Sequence, residues 1–232
     1  MRTVCGLARR VQRLVGRDRG AAVAVAPLVM RGRPLLSGAV GDQRHSGVQL
    51  DQVDGTTCGS AVLVALSAWS GPGELARLEP GGPDPVVDGI RQGFGARYDA
   101  RQLQVHRETN RWWPRALGTS PWGMTHWLRR NAPDAGDYRV RLVDDVSGPD
   151  VEDTLAAVSA ALLACRPVPL LVGAVVPRHY CLLLGAGVDG RWQVYEPTSG
   201  QVREVDPAAV AQRRLGPTLG YDRLHAVLLP GS

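Results

Sequence analysis

Residues 61–69 (AVLVALSAW) constrain the fold most, because they are apolar almost all the way round a helix. A helix without a polar face has to be buried on every side. The preceding segment, 52–60 (QVDGTTCGS), is polar and contains glycine, which predicts that the helix begins near Cys58 and runs over 58–70. A chain of 232 residues is long enough to surround such a helix with one core.

The rest of the chain divides into an early helical part and a late strand-rich part. We predict a loop-rich helical region over 73–132, with Trp112 and Trp113 in a polar loop. Later elements follow from apolar runs, alternation and turn residues: strands at 137–144, 169–176, 178–185, 191–196, 200–205 and 222–229, and helices at 149–165 and 207–214. This segregation predicts an α+β fold in which one central helix packs on an antiparallel sheet.

Positive charge is concentrated at the N-terminus. Residues 1–35 contain eight arginines and one acid, Asp18, whereas the remaining residues have a net charge of −2. A folded domain that binds nucleic acid usually carries a basic face, so we predict no nucleic-acid partner. We divide the chain into a basic arm, 1–44, and a domain, 45–232.

The arm contains a short amphipathic helix. Its apolar and basic positions recur at helical spacing: Val4, Leu7, Ala8, Val11, Leu14 and Val15, with Arg9, Arg10, Arg13 and Arg17 elsewhere on the turn. Three interpretations are open: contact with an anionic membrane surface, docking to a partner, or a helix that covers the domain's own surface. No apolar run approaches the ~20 residues of a membrane span, and the run 21–30 contains Pro27 and has no clear cleavage site. We therefore expect a cytoplasmic protein.

The four cysteines, Cys5, Cys58, Cys165 and Cys181, are widely separated. Their spacing matches neither a zinc site nor a dense disulfide framework, so no metal or cofactor is predicted. Cys58 is the exception in position, since it falls in the first turn of the predicted buried helix. The free backbone N–H groups and the dipole at a helix start favour a thiolate.

Gln52 precedes Cys58 by six residues and can act with it. A side-chain amide that folds back beside the helix start can join the Cys58 backbone N–H as a second donor to a developing oxyanion. Gly59 would let a substrate approach the backbone closely. A cysteine before an apolar helix is by itself more often an inert core residue.

His179 and Glu196 fall on consecutive predicted strands. The turn between these strands lies within 185–190 (GAGVDG), which places His179 opposite or nearly opposite Glu196. A carboxylate there would accept one imidazole N–H and leave the other ring nitrogen for a thiol. The alternative is a core histidine with a satisfied hydrogen bond.

These motifs together resemble those of the peptidase C39-like families of papain-like cysteine peptidases. The resemblance rests on Gln52, on Cys58-Gly59 at the mouth of the helix, on the His179 strand, and on Glu196-Pro197 with Gly200 nearby, and it covers roughly 45–205. It implies a papain-like fold with the cysteine on the helix and the histidine and acid on the sheet, and catalytic roles for Cys58, His179, Glu196 and Gln52. Glutamate stands where the family has aspartate.

The resemblance implies a bacterial thiol hydrolase that acts on a peptide or protein. The chain has neither a predicted membrane helix nor a GxxxxGK[ST] loop, so it does not resemble the exporters that carry such domains. Two alternatives remain: a non-catalytic module that binds a peptide or partner on the same fold, and an acyltransferase with the same Cys, His, acid order.

The other histidines are weaker candidates for a catalytic role than His179. His45 and His106 lie in polar stretches, and His225 in a terminal apolar run. His126 belongs to a helix predicted to begin at Pro121 behind a Ser120 cap, where it serves as structure or as a wall of the cleft.

Overall fold

The computed structural model describes residues 1–15, 27–28, 34–79, 93–110 and 118–231. The helices in this part of the chain are α1 (Val4–Leu14), α2 (Cys58–Ser70), α3 (Pro72–Leu78), α4 (Phe94–Thr109), α5 (Pro121–Asn131), α6 (Gly148–Leu163), α7 (Ala208–Gln212) and α8 (Gly216–Leu219). The strands are β1 (Gly41–Asp42), β2 (Arg44–His45), β3 (Val48–Gln49), β4 (Tyr138–Leu142), β5 (Val168–Gly173), β6 (Pro177–Ala186), β7 (Trp192–Glu196), β8 (Gln201–Val205) and β9 (Arg223–Pro230).

Seven strands form one sheet in the order β1-β8-β7-β6-β5-β9-β4, and every neighbouring pair is antiparallel. The predicted mixture of helices with a large antiparallel sheet is thereby confirmed. β1 pairs with β8 through Gly41 and Asp42, so the last residues of the predicted 1–44 arm contribute to the sheet. The boundary between arm and domain stays a prediction.

The sheet is covered on both faces, and β6 shows how. Tyr180 and Leu182 point into the core that surrounds α2, whereas Cys181 and Leu183 point into a second core that includes residues of α6. All residues of α2 except Trp69 are buried, which matches the apolar composition of this helix. Gly59 packs closely against Tyr180, so the start of α2 and the start of β6 meet at the same end of the molecule.

Helix α1 lies on the surface with its basic face turned inward. Arg9 is only 4% exposed and donates to Asp150 of α6 over 3.1 Å, and Arg2 donates to Asp144. Val4, Leu7, Val11 and Leu14 of α1 are exposed, whereas Cys5 packs against the core. The helix therefore covers the domain's surface through ion pairs.

Most predicted element boundaries agree with the structure to within a few residues. The helix at 58–70 is confirmed, and so is the start of α5, where the Ser120 hydroxyl accepts from the Gly123 N–H. The strand predicted at 169–176 ends at Gly173, because the chain turns so tightly there that a Cβ would collide with the Val176 carbonyl. Trp112 and Trp113 lie outside the described residues.

Among the described helices, none has the length and apolar composition needed to cross a lipid bilayer.

Candidate functional site

A tight turn places Cys58 at the first residue of α2. The Asp54 carboxylate accepts from the Thr56 N–H and hydroxyl, both at 2.7 Å, and the Thr57 hydroxyl donates to the Asp54 carbonyl. Burial alone would raise the pKa of Asp54, but the hydrogen bonds from Thr56 and Thr57 lower it. Because the Thr57 hydroxyl bonds to Asp54, it does not cap α2, and the first N–H groups of the helix have no side-chain cap.

Gly59 keeps Cys58 close to the neighbouring elements. A Cβ at this position would stand 2.9 Å from Cβ of Thr119 and 3.2 Å from the ring of Tyr180. The absence of a side chain thus lets α2 pack against β6 and the segment before α5. We expected Gly59 to make room for a substrate, whereas in the structure it makes room for protein side chains.

His179 and Glu196 form a buried hydrogen-bonded pair. The Nε2–H of His179 donates to Oε1 of Glu196 over 2.8 Å. Burial alone would lower the pKa of His179, but its contacts with the thiols of Cys181 and Cys58 and with Glu196 raise it to about 12. Since Nε2 is bound to the carboxylate, Nδ1 is the nitrogen that remains for the thiols.

Three further donors hold the Glu196 carboxylate in place. Its Oε1 accepts from the Thr198 N–H at 2.8 Å, and its Oε2 accepts from the N–H and the hydroxyl of Ser199 at 3.0 and 2.8 Å. Burial alone would raise the pKa of Glu196, but the hydrogen bonds with His179, Ser199 and Thr198 lower it to about 2. The acid is therefore an anion that is fixed in orientation and available to orient the imidazole.

The strand register explains why a glutamate occupies this position. Leu182 pairs with Tyr195, so continuing the ladder by one residue puts Glu196 across from Cys181 and not from His179. The predicted near-opposition of His179 and Glu196 is off by two residues, because the strands pair about a turn centred near residue 189, where Ala186 pairs with Trp192. The one-residue register shift between Leu183 and Gly185 reduces this offset from three residues to two. A diagonal pair is farther apart than a direct one, and the longer glutamate side chain spans that separation.

Cys181 is a site residue that the sequence analysis missed. It is fully buried, and burial raises the pKa of its thiol even though contact with His179 lowers it. It lies two residues after His179 on β6 and points into the core on the α6 side of the sheet, whereas Cys58 belongs to the core around α2. The pattern His-x-Cys on a predicted strand was the signal that could have found it.

Two other groups at the site also escaped prediction. The ring of Tyr221 lies 6.3 Å from the ring of His179, centroid to centroid. Thr198 and Ser199, which hold the acid, follow it by two and three residues in the chain. Small hydroxyl residues just after a strand that ends in a carboxylate are a recognisable signal, because their N–H and O–H groups can turn back to that carboxylate.

Gln52 lies beside the acid end of the site. Its backbone N–H donates to the Pro197 carbonyl over 2.8 Å, and its side-chain oxygen lies 3.5 Å from the Thr198 hydroxyl. Its amide nitrogen donates to the Asp54 carbonyl over 2.8 Å. One of its two amide hydrogens is therefore used within the loop, and the second is available to another acceptor.

The remaining histidines have ordinary partners. His45 is 2.6 Å from Glu79, His106 bonds to Asn110, and His225 is buried with its Nε2 3.2 Å from the Ala174 carbonyl. His126 is exposed on α5. Within the described parts of the chain, no group of three or more potential ligands is placed to hold a metal ion.

No family model and no curated protein matches this sequence.

Proposed function

We propose that the protein is a papain-like cysteine hydrolase of the peptidase C39-like type, with Cys58 as nucleophile, His179 as acid–base and Glu196 as orienting acid. The observation that carries the proposal is the 2.8 Å bond between His179 and Glu196, made by an imidazole whose pKa is raised in part by the nearby thiol of Cys58 at the start of a buried helix. Cys58 of α2, Cys181 of β6 and Glu196 of β7 all influence this one imidazole.

Burial favours Cys58 over Cys181 as the nucleophile. Cys58 is 4% exposed, whereas Cys181 is fully buried and its pKa is raised. Only the former lies beside uncapped N–H groups of a helix, which can stabilise an anion. Cys181 then acts as a wall of the site beside His179.

The reaction follows from these roles. The Cys58 thiolate attacks the carbonyl carbon of an amide bond, and the oxyanion is met by the N–H groups at the start of α2 and by the spare amide hydrogen of Gln52. His179 donates its proton to the leaving amine, which departs and leaves a thioester on Cys58. Water, deprotonated by His179, hydrolyses the thioester and regenerates the free thiol.

The experiment is digestion of a complex peptide mixture, read by mass spectrometry because the cleavage preference is unknown. We expect new peptide termini with the wild type and with Cys165→Ser, which changes an exposed cysteine away from the site. Cys58→Ala should yield none while its far-ultraviolet circular dichroism is unchanged. Cleavage by Cys58→Ala at the wild-type rate would rule out this nucleophile.

A second candidate is a binding module that uses the same cleft without chemistry. The observation in its favour is the small exposed fraction of both Cys58 and His179. Such a module would retain peptides on a column of immobilised protein without cleaving them, and Cys58→Ala would retain them equally. The hydrolase instead predicts that Cys58→Ala turns a cleaving protein into a retaining one.

A further inference from the structure

The apolar face of α1 points away from the protein. Val4, Leu7, Val11 and Leu14 are 52%, 54%, 58% and 78% exposed, and their spacing of three and four residues places them in one row, the α1 stripe. A surface helix normally turns such a row toward the core. Here the row is left in contact with solvent.

Ion pairs on the opposite face fix this orientation. Arg9 is buried against Asp150, and Arg13 Nη2 lies 3.0 Å from the same carboxylate oxygen. Asp150 is completely buried. Turning α1 over would remove both arginines from a buried anion, which is costly, so the exposure of the stripe is a stable property of the fold.

Two neighbouring valines extend the apolar surface. The N–H of Val4 donates to the Val175 carbonyl over 3.1 Å, in the turn between β5 and β6, where Val175 and Val176 are both exposed. This turn leads directly into the strand that carries His179. The apolar surface therefore continues from α1 toward the end of the sheet that holds the candidate site.

Positive charge borders the stripe. Arg10 is exposed beside it and has no ion-pair partner in the described part of the chain. The sequence that follows α1 adds Arg17 and Arg19 against Asp18. An apolar row bordered by Arg10, which has no ion-pair partner among the described residues, is complementary to a surface that is apolar beneath and anionic at its face.

The size of the stripe argues against a stable protein partner. Eleven residues span about 16 Å, and a row about 10 Å wide covers roughly 160 Å². A stable protein–protein interface buries about 800 Å² on each side. A lipid surface has no such requirement, because it needs no matching shape and the helix only has to enter the headgroup region.

We propose that the α1 stripe rests on an anionic membrane surface and holds the β5–β6 turn against the same surface. The ion pairs to Asp150 and Asp144 hold α1 rigidly on the domain. The apolar side chains enter the membrane interface, and Arg10 faces the lipid headgroups. With one short helix as anchor, the contact is weak and reversible.

Co-sedimentation of the full chain with vesicles tests the proposal, using pure phosphatidylcholine and a 70:30 mixture with phosphatidylglycerol. We expect binding to the anionic vesicles that is weakened by 0.5 M NaCl and reduced at least tenfold in Leu7→Ser/Val11→Ser. Val188→Ser, which changes a fully exposed valine in the turn between β6 and β7, should bind like the wild type. The urea midpoint of the double variant should be unchanged, because the replaced side chains are exposed.

Equal sedimentation of the double variant and the wild type would overturn the proposal, as would failure of the wild type to bind anionic vesicles. Light scattering without lipid tests whether a second copy of the chain binds the α1 stripe instead. A dimer that forms in the wild type and is lost in the double variant would make the stripe an interface between copies, and this result would also overturn the membrane proposal. The outcome is independent of the proposed hydrolase, since Cys58→Ala should bind vesicles normally and the double variant should retain peptide cleavage.

Discussion

Two buried carboxylates, Asp150 and Glu196, have similar surroundings but different roles: the first attaches elements of the fold to each other, and the second belongs to the candidate catalytic site. Asp150 accepts from Arg9, Arg141 and the Asp144 N–H, and Arg13 lies 3.0 Å away. Glu196 is equally well satisfied, by His179, Thr198 and Ser199. Each anion is almost inaccessible to solvent and each is held by several donors.

The two sites differ in what the cation can do. Arginine stays protonated at any ordinary pH, so the pairs around Asp150 can only attach α1 and β4 to α6. His179 can gain and lose a proton, and the nearby thiols of Cys181 and Cys58 help to raise its pKa. A buried ion pair therefore becomes a candidate for catalysis when its cation can titrate and a nucleophile lies near that cation.

The largest expected effect is on catalysis at Glu196. Glu196→Gln keeps the shape but removes the charge that orients and stabilises the imidazolium, so kcat/KM for peptide cleavage should fall by about 10³–10⁴. The measurement is steady-state hydrolysis of a peptide found in the digestion experiment. Asp189→Asn, which neutralises an exposed acid in the β6–β7 turn, is the control and should act like the wild type. A Glu196→Gln enzyme with full activity would show that another group orients His179.

Asp150 should show the opposite pattern, with a large loss of stability. Asp150→Asn leaves buried arginines without their anion and should lower the free energy of unfolding by about 3–5 kcal/mol. Urea denaturation measures this directly. Asp153→Asn removes an exposed partner of Arg13 and should cost at most about 1 kcal/mol. If both variants lose the same small amount, the network around Asp150 does not hold α1 in place.

A smaller effect is expected at Gln52. If its spare amide hydrogen meets the oxyanion, Gln52→Ala should lower kcat by about 10²–10³ with little change in KM. Gln201→Ala, which removes an exposed amide bonded to Asp42, is the matched control. A rate within threefold of the wild type would assign Gln52 to the structure of the loop.

The smallest effect is the acid dependence of stability. The pKa of Glu196 is lowered from 4.5 to about 2, so its ionised form stabilises the fold fully above pH 4.5, and this contribution is lost as the pH falls toward 2. The urea midpoint of the wild type should therefore decline more steeply between pH 6 and pH 3 than that of Glu196→Gln. Parallel declines would mean that this carboxylate has no lowered pKa.

Local sequence patterns predicted much of this molecule. The start of α2 at Cys58 followed from a polar turn before an apolar run, and the start of α5 followed from Ser120 and Pro121. The proximity of His179 and Glu196 followed from two strands joined by a short turn. All of these depend on residues that are close together in the chain.

Features set by distant residues or by sheet irregularities could not be predicted in this way. The orientation of α1 depends on Asp144 and Asp150, which lie more than a hundred residues away. The register of His179 depends on a shift between Leu183 and Gly185. Alternation along a strand does not reveal such a shift, because the side chains on either side of it still fit the two cores.

The decisive measurement is the rate of alkylation by iodoacetamide as a function of pH, with the labelled cysteine located by mass spectrometry. It tests whether His179 and Glu196 activate the thiol of Cys58. Cys165 is exposed and has no imidazole beside it in the described structure, so it provides an internal reference within the same molecule. Cys58, although buried, should react faster than Cys165 at pH 6, and Glu196→Gln should remove this advantage. Labelling of Cys165 ahead of Cys58 at pH 6 would contradict an activated thiol held by His179 and Glu196.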